Sequence, residues 1–155
     1  MYKDKRILAV IPARGGSKGL PDKNIKLWNR KPLLAWTILQ AQKCELFDEI
    51  LVSTEDADIA EIAMNYGSEP PFLRPEELAQ DDSPISEAIL HALDMYDEKG
   101  KSFHYVALLE PTSPLRGAND FELAIKKMIS TKDADSLVSV GEVHLEHPMI
   151  IKKNW

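Results

Sequence analysis

A glycine-rich, basic stretch near the amino terminus carries the clearest chemistry in this sequence. Residues 11–24 read IPARGGSKGLPDKN. Glycines let a backbone approach a ligand closely, and the successive amides of such a turn can form an anion-binding concavity. Arg14, Lys18 and Lys23 add positive charge. The stretch therefore predicts a phosphate-binding loop, with an ordinary basic surface loop as the alternative.

The spacing of the glycines excludes two familiar phosphate-binding motifs. Gly15, Gly16 and Gly19 match neither the Walker pattern G-x-x-x-x-G-K-[ST] nor the dinucleotide pattern G-x-G-x-x-G. We expect these three glycines to adopt backbone dihedrals that other residues avoid. The loop is thus predicted to bind phosphate by a different arrangement.

Strand and helix patterns alternate along the rest of the chain. Apolar runs predict buried strands at residues 7–11, 49–53, 104–109 and 137–140. Apolar positions at helical spacing predict helices from about Pro32 to Lys43, from a cap at Thr54 to Gly67, from a cap at Ser83 to Gly100, and from a capping box formed by Asn119 and Glu122. Residues 69–82 contain three prolines and predict an ordered loop over the site.

This alternation predicts an α/β fold whose mostly parallel sheet is covered by helices on both faces. Ligands of such sheets bind beyond the carboxyl ends of the strands. Three turns that follow predicted strands meet there: the Arg14 loop, Ser53-Thr54 and Glu110-Pro111-Thr112. The sequence therefore predicts one site at one edge of the sheet.

Charge and composition limit the kinds of ligand and location. Six basic residues and one acidic residue within residues 14–31 give +5, whereas the whole chain carries −6 and the remainder therefore −11. One basic region in an acidic protein favours a small polyanion over nucleic acid. The single cysteine, Cys44, is predicted to be a packed side chain, which fits a reduced cytoplasmic setting. The amino terminus lacks the pattern of a signal peptide, so we expect no membrane partner.

Five blocks in one order resemble the acylneuraminate cytidylyltransferases, the family of CMP-sialic acid synthetases. The blocks are residues 11–24, 32–37, 52–56, 74–79 and 109–116. Members activate sialic, legionaminic or pseudaminic acid, and 3-deoxy-manno-octulosonate cytidylyltransferases are more distant relatives. The resemblance implies a Rossmann-like, three-layer α/β/α nucleotide-diphospho-sugar transferase fold. It extends from Ile7 to about Val140, so we expect a nucleotide-binding domain at residues 1–140 and a truncated dimerisation and sugar-site segment from residue 141.

The implied reaction transfers CMP from CTP to a sugar acid and releases pyrophosphate. Such transfers depend on positioning and on neutralising the charge that moves to the leaving group. The resemblance implies that Arg14, Lys18 and Lys23 are catalytic and contact the triphosphate with Ser17, while Gly16 gives backbone access. The alternative for the lysines is a solvated basic face. A second alternative for the chain is a CTP-binding fragment that does not catalyse.

Three further residues match family positions near the nucleoside. Asn24 and Arg74 carry donors that can bind the carbonyl and ring nitrogen of cytosine. Ser83 is expected either to join them or to cap the helix that follows it. The sequence leaves both roles of Ser83 open.

Glu110 and Arg116 are implied to face the sugar acid. Glu110 departs from the common family pattern, in which glutamine often precedes Pro-Thr-Ser-Pro. A carboxylate at this position repels the carboxylate of the substrate and accepts hydrogen bonds from hydroxyl or amide groups, which favours legionaminic or pseudaminic acid. Arg116 is expected either to pair with the sugar carboxylate or to bind carbonyl groups of its own loop.

A divalent metal, Mg²⁺, is implied, but no metal ligands are expected within this chain. The family's metal carboxylates lie in a later motif, so the ligands are expected from CTP and from a missing carboxyl-terminal part. The pairs Asp56-Ala57-Asp58 and Asp133-Ala134-Asp135 are interpreted as ordinary helix or turn charges. His144 and His147 do not have the zinc spacing H-E-x-x-H. A homodimer is expected for the full-length protein.

Overall fold

The computed structural model describes residues 1–17, 19–117 and 119–140. Its elements are β1 (Ile7–Pro12), β2 (Leu27–Trp28), β3 (Lys31–Pro32), α1 (Leu33–Ala41), β4 (Glu49–Ser53), α2 (Ala57–Asn65), a 3₁₀ helix (Glu76–Ala79), α3 (Ile85–Asp97), β5 (Tyr105–Leu108) and α4 (Asp120–Ser130). They belong to two compact units, Met1–Glu122 and Leu123–Trp155. Within the described ranges, every helix is too short or too polar to cross a bilayer.

The first unit is built on a parallel sheet in the order β4-β1-β5. Central strand β1 pairs with β4 from Leu8↔Glu49 to Pro12↔Ser53, and with β5 from Ile7↔Tyr105 to Val10↔Leu108. Ile7 through Ile11 are at most 1% exposed. Burial on both faces explains why this strand is a continuous apolar run and not an alternating one.

Helices cover both faces of this sheet. One apolar cluster joins the sheet to α3 through Leu8, Val10, Leu51, Ala92 and Tyr96. The connection through α1 leads outward from β1 to β4, and the connection through α3 returns across β1 to β5. Right-handed crossovers in opposite directions place α1 and α3 on opposite faces. The predicted α/β fold with a parallel sheet is therefore confirmed.

The predicted caps of α2 and α3 are wrong. Helix α2 is capped by Asp56, whose Oδ1 accepts hydrogen bonds from the amides of Asp58 at 2.8 Å and Ile59 at 3.1 Å. Thr54 instead accepts from the Asp56 amide with its hydroxyl oxygen at 3.1 Å. The N-cap residue of α3 is Pro84, whose side chain has no acceptor, and the Ser83 hydroxyl instead donates to the Glu77 carbonyl at 2.7 Å. The Ser83 hydroxyl thus binds a carbonyl group of the preceding loop and not an amide of the helix.

The predicted helix ends are confirmed. Gly67 and Gly100 have φ values of +81° and +72°, the left-handed conformation that ends α2 and α3. Cys44 is buried as expected. Two short elements were not predicted, the 3₁₀ helix and the β2–β3 hairpin. Asn29 and Arg30 form the turn of the hairpin with φ values of +48° and +68°, as a two-residue turn of type I′ requires.

The second unit contains the remainder of α4 and the segment that follows it. The strand predicted at residues 137–140 is wrong, because the structure assigns no strand there. Val138 is 78% and Val140 91% exposed. An apolar run forms a strand only where a neighbouring strand supplies hydrogen-bond partners, and none of the described residues pairs with this segment. The expected dimerisation segment from residue 141 lies outside the described residues.

Candidate functional site

Two adjoining clefts lie at the carboxyl ends of the strands. The larger cleft, about 540 Å³, is lined by residues 14–17, 21, 22, 55, 76 and 79–81. The smaller cleft, about 320 Å³, is lined by residues 12, 14, 17, 23, 24, 74, 78–81, 83, 85 and 110–112. Both contain Arg14 and Ser17 from the basic loop and residues 79–81 from the segment after Arg74. The site is therefore one connected depression at the predicted edge.

Asn24 holds the basic loop in place. It is 5% exposed, and its Nδ2 donates to the Arg14 carbonyl at 3.0 Å. Its own carbonyl accepts from the Leu34 amide at 2.9 Å, at the start of α1. The Ala13 amide donates to the Ser53 carbonyl at 3.0 Å, which fixes the loop to β4. Asn24 thus braces the two ends of the loop as well as lining the smaller cleft.

Arg14 lies where the two clefts meet. Its Nη2 is 2.7 Å from Oδ1 of Asp81, and its Nη1 donates to the Ala79 carbonyl at 3.4 Å. Both side chains are partly exposed, at 33% and 39%. The Asp81 carboxylate therefore already pairs with the Arg14 guanidinium, which was predicted to bind phosphate. Asp81 was not predicted as a site residue, since nothing in its local sequence separates it from the surrounding acidic residues.

Glu55 joins the basic loop to Arg74. Its Oε1 accepts from the Gly15 amide at 2.8 Å, and its Oε2 accepts from Nη2 of Arg74 at 2.8 Å. The Arg74 amide also donates to the Thr54 carbonyl at 2.8 Å. Sequence reasoning missed the role of Glu55. The signal available was its position, two residues after Ser53 at the carboxyl end of a buried strand.

The first glycine of the loop serves close packing. Neither Gly15 nor Gly16 has a positive φ, so the predicted unusual dihedrals are wrong for both residues. A Cβ on Gly15 would overlap Oδ2 of Asp56 and approach its Cγ to 3.1 Å. Apart from its chain neighbours, no described residue has an atom within 4 Å of a Cβ added to Gly16. Gly15 therefore allows the loop to pass against the amino-terminal end of α2, whereas Gly16 opens onto the larger cleft.

The basic residues after the loop do not all converge on the clefts. Lys23 lines the smaller cleft, whereas Lys26 is exposed and lines neither. Arg30 lies in the hairpin turn, and Nζ of Lys31 lies 4.9 Å from the ring centre of Trp36. The expectation of one basic pocket is therefore correct only in part. Lys18, predicted to contact the triphosphate, lies outside the described residues.

Most of the described candidate residues come together in the smaller cleft. They are Arg14, Ser17, Lys23, Asn24, Arg74, Ser83 and Glu110, while Gly16 lines the larger cleft. The turn of Glu110, Pro111 and Thr112 after β5 forms one wall of the smaller cleft. Three of the five blocks, residues 11–24, 74–79 and 109–116, therefore supply residues to one depression.

Arg116 does not line either cleft. Its Nη2 donates to the Glu110 carbonyl at 2.6 Å, and its Nη1 donates to the Thr37 hydroxyl at 3.4 Å. Burial lowers the pKa of Arg116, against the opposing effect of the charges of Glu110 and Asp120. The guanidinium nevertheless stays protonated at neutral pH. Of its two predicted roles, the structure shows the binding of a carbonyl group of its own loop.

Acidic side chains are frequent around the larger cleft. Asp22, Glu55, Glu76 and Asp81 all line it. Among residues 1–17, 19–117 and 119–140, however, no three His, Cys, Asp or Glu side chains are grouped closely enough to hold a metal ion. Asp56 and Asp58 instead form the capped first turn of α2. His144 and His147 lie outside the described residues.

Known sequences match this chain over nearly its full length. It is 41% identical over 150 residues to CMP-N,N'-diacetyllegionaminic acid synthase of Legionella pneumophila, covering 97% of this chain and 61% of that protein. It is 42% identical to N-acylneuraminate cytidylyltransferase of Escherichia coli, covering 87% and 31%. It is 37% identical to pseudaminic acid cytidylyltransferase of Campylobacter jejuni, covering 81% and 54%. The chain thus spans about a third to three fifths of these relatives' lengths.

Solved structures support the fold. CMP:2-keto-3-deoxy-manno-octonic acid synthetase, complexed with CTP, aligns with a TM-score of 0.69 at 19% identity, over 81% of this chain and 48% of that one. 4-Diphosphocytidyl-2C-methyl-D-erythritol synthase aligns with a TM-score of 0.63 at 13% identity, over 83% and 56%. These neighbours are nucleotidyltransferases, and the Rossmann-like fold class is confirmed.

A family model described as cytidylyltransferase matches residues 8–149. The match begins in β1 and includes the basic loop, Glu55, the 3₁₀ helix and the Glu110 turn, which are the segments that form both clefts. It covers well over half of the chain. The chain therefore belongs to the cytidylyltransferase family.

Proposed function

We propose that this chain carries the nucleotide-binding part of an enzyme that transfers CMP from CTP to a sialic-acid-like 2-keto sugar acid. The observation that carries this proposal is the smaller cleft, in which Arg14, Lys23 and Arg74 face one depression at the carboxyl edge of the sheet. Three cations beside hydroxyl and amide groups suit a nucleoside triphosphate. The relatives' names, which include CMP-sugar synthase and acylneuraminate cytidylyltransferase, support the same substrate classes.

The proposed reaction asks mainly for positioning and charge neutralisation. The anomeric hydroxyl oxygen of the sugar acid attacks the α-phosphorus of CTP, and the bond to the bridging oxygen of the β-phosphate breaks. The hydroxyl proton passes to solvent water, and pyrophosphate leaves with the bonding electrons. Arg14 and Lys23, with Lys18, neutralise the charge that accumulates on pyrophosphate, while Ser17 and the Gly16 backbone orient the phosphates.

Arg74 and Ser83 are proposed to bind the nucleoside. Nε of Arg74 is buried and has no hydrogen-bond partner among the residues that the structure describes, so a donor remains for a ligand acceptor such as the carbonyl of cytosine. The Ser83 hydroxyl lines the same cleft. Asn24 already donates to the Arg14 carbonyl. Asn24 is therefore proposed to hold the loop in shape as well as to bind the nucleoside.

The sugar acid is proposed to bind beside Glu110. The Glu110 turn lines the same cleft as the basic loop, whereas Arg116 fixes the turn through the Glu110 carbonyl. A carboxylate at residue 110 accepts hydrogen bonds from hydroxyl and amide groups. Legionaminic and pseudaminic acids are therefore the preferred substrates, in agreement with the names of two relatives. Arg116 reaches a sugar carboxylate only if it releases its present partners.

The metal, the dimer and the cellular location are also proposals. The described residues do not form a metal site by themselves. We propose that Mg²⁺ arrives bound to the phosphate oxygens of CTP and takes its protein ligands from residues outside the described part. The metal would supply further charge neutralisation at the phosphates. We also propose that the full-length protein is a cytoplasmic homodimer.

The proposal is tested by pyrophosphate release from CTP and Mg²⁺ with N-acetylneuraminate, legionaminate, pseudaminate or 3-deoxy-manno-octulosonate. We expect release with a sialic-acid-like sugar, and at least a tenfold loss in Lys23→Ala, as removal of one charged phosphate contact costs about this much. Lys26→Ala is the matched control, because Lys26 belongs to the same stretch but lines neither cleft. Release with 3-deoxy-manno-octulosonate alone would replace the proposed substrate. CTP binding without release would indicate a binding fragment.

Sugar preference has its own test. Glu110→Gln removes the charge and keeps the shape of the side chain. We expect the ratio of kcat/KM for legionaminate over N-acetylneuraminate to fall in this variant. An unchanged ratio would remove Glu110 from the specificity assignment without affecting the proposed reaction.

A further inference from the structure

Glu55 occupies an unusual position for an acidic residue in a site that binds a polyanion. It lines the larger cleft, and each of its two oxygens already accepts a hydrogen bond from another part of the chain. One oxygen binds the Gly15 amide and the other binds Arg74, both at 2.8 Å. These partners lie 40 and 19 residues away in sequence. A single carboxylate therefore joins the phosphate loop to the proposed nucleoside-binding arginine.

Burial makes this connection rigid. The Arg74 side chain is 4% exposed and that of Glu55 is 14% exposed. A guanidinium buried to this extent needs an acceptor, and a carboxylate fixes its plane as well as its charge. Arg74 also donates its backbone amide to the Thr54 carbonyl at 2.8 Å. Backbone and side chain of Arg74 are thus both bound to the turn that follows β4.

The remaining hydrogen-bonding capacity of Arg74 points toward a ligand. With Nη2 bound to Glu55, the buried Nε has no partner in the described part of the chain, although Arg74 lines the smaller cleft. A buried donor without a partner is costly and is rarely retained without a use. Glu55 holds the guanidinium at Nη2, and no acceptor within the described residues binds Nε.

Glu55 also positions the basic loop, through the Gly15 amide. It is the first amide of the glycine pair and would be an obvious phosphate donor, but Glu55 already accepts its hydrogen bond. The Ser17 amide donates to the Gly15 carbonyl at 3.0 Å, so the position of Ser17 depends on the backbone conformation at Gly15. Ser17 lines both clefts. Glu55 therefore sets the shape of the loop from a position that CTP need not touch.

We propose that Glu55 is the positioning residue of the nucleotide site, acting on CTP through Arg74 and the Gly15 end of the loop. This inference rests on the proposed function, since it assumes that CTP binds in these clefts. The inference predicts the direction in which CTP affinity changes when Glu55 is neutralised. If Glu55 were only one more negative charge near a polyanion, its neutralisation would strengthen CTP binding. As a positioning residue, its neutralisation weakens CTP binding.

Glu55→Gln separates these alternatives. The amide keeps the shape of the side chain but has one acceptor and one donor. Whichever way it is turned, its NH₂ group faces either the Gly15 amide or the Arg74 guanidinium, and both of those are donors. We expect the Kd for CTP to rise about tenfold or more, as for the loss of one charge-assisted hydrogen bond. Glu76→Gln is the matched control, because it removes an exposed carboxylate from the same cleft.

The test combines direct CTP binding by calorimetry with steady-state kinetics on this chain. We expect Glu55→Gln to raise the KM for CTP and to leave the KM for the sugar and kcat near wild type. Glu55→Asp should recover part of the affinity, and Glu76→Gln should bind CTP as well as wild type or slightly better. A purely structural role would instead lower the melting temperature and the active fraction without changing KM.

A double-mutant cycle completes the test. If Glu55 acts largely through Arg74, Glu55→Gln should change CTP affinity far less in an Arg74→Met background than in wild type. Unchanged or tighter CTP binding by Glu55→Gln in an otherwise wild-type chain would overturn the inference and leave the proposed function intact. Absence of CTP binding in the wild-type chain would instead refute the proposed function.

Discussion

Replacement of Gly15 by alanine tests whether close packing is the reason for a glycine at this position. The added methyl group would overlap Oδ2 of Asp56 and lie 3.1 Å from its Cγ. Asp56 cannot rotate away without loss, because its other oxygen caps α2 through the amides of Asp58 and Ile59. The loop cannot retreat freely either, because the Gly15 amide is bound to Glu55 at 2.8 Å.

The expected loss in the free energy of unfolding is set by the less costly of two movements, rotation of Asp56 or displacement of the loop at Gly15. Loss of an aspartate cap costs about 0.5–2 kcal/mol. Loss of the Gly15 hydrogen bond to a charged carboxylate costs about 1.5–3 kcal/mol. We therefore expect Gly15→Ala to lower the free energy of unfolding by about 1–2 kcal/mol, since the structure takes the less costly route. For a domain of this size the melting temperature should fall by about 2–8 °C.

Urea unfolding and thermal denaturation of Gly15→Ala and Gly16→Ala measure this difference. Gly16→Ala is the matched control, because its φ is not positive and, apart from its chain neighbours, no described residue lies within 4 Å of the added Cβ. Its stability should lie within about 0.5 kcal/mol of wild type, or slightly above it, because alanine restricts the unfolded chain. Equal stability of the two variants would refute the packing explanation for Gly15.

Three other substitutions have defined outcomes. Asp81→Asn removes the carboxylate that pairs with Arg14 at 2.7 Å. Calorimetry should therefore show that CTP binds about two- to tenfold more tightly to this variant than to wild type. Weaker binding would show instead that the pair orients Arg14 for the nucleotide. Arg30→Gly relieves the positive φ of +68° at an exposed turn, so urea unfolding should show a gain of about 1 kcal/mol; an unchanged midpoint would contradict this. Burial raises the pKa of Asp48, but hydrogen bonds from the amino terminus and the Ile7 amide, with nearby positive charge, outweigh burial and lower the pKa overall. The stabilisation by Asp48 is therefore present above its unfolded pKa of about 4 and is lost as pH falls through the lower folded pKa. Asp48→Asn should be less stable than wild type at pH 7, and urea unfolding at a series of pH values should show the difference shrink in acid.

The elements around the site could be predicted because their signals are local. The run from Ile7 to Ile11 is apolar at every position, which a strand buried on both faces requires. The glycines at 67 and 100 mark helix ends because only the backbone conformation at those residues matters. The Arg14 loop and the Glu110 turn then follow from parallel topology, since the carboxyl ends of parallel strands share one edge.

The contacts that complete the site could not be predicted, because they depend on distant pairing. Glu55 and Gly15 are 40 residues apart, and the sequence around Glu55 resembles that of any acidic first turn of a helix. The Ser83 hydroxyl could equally have accepted a hydrogen bond from an amide at the start of the helix, but in the folded loop it donates to the Glu77 carbonyl. Local patterns rank the possible partners of a polar side chain, and only the tertiary structure selects among them.

The charge of the site also differs from what the loop sequence indicates. Arg14 and Arg74 are each paired with a carboxylate, so the clefts hold prearranged ion pairs as well as cations. Free arginines would attract a polyanion more strongly, but each would lose side-chain entropy when it bound. The Glu55 pair reduces that loss at Arg74, because the guanidinium is already held in place. Under the proposed function, CTP would displace Asp81 from Arg14 and would join Glu55 at Arg74, so the two pairs favour geometric selectivity over electrostatic attraction.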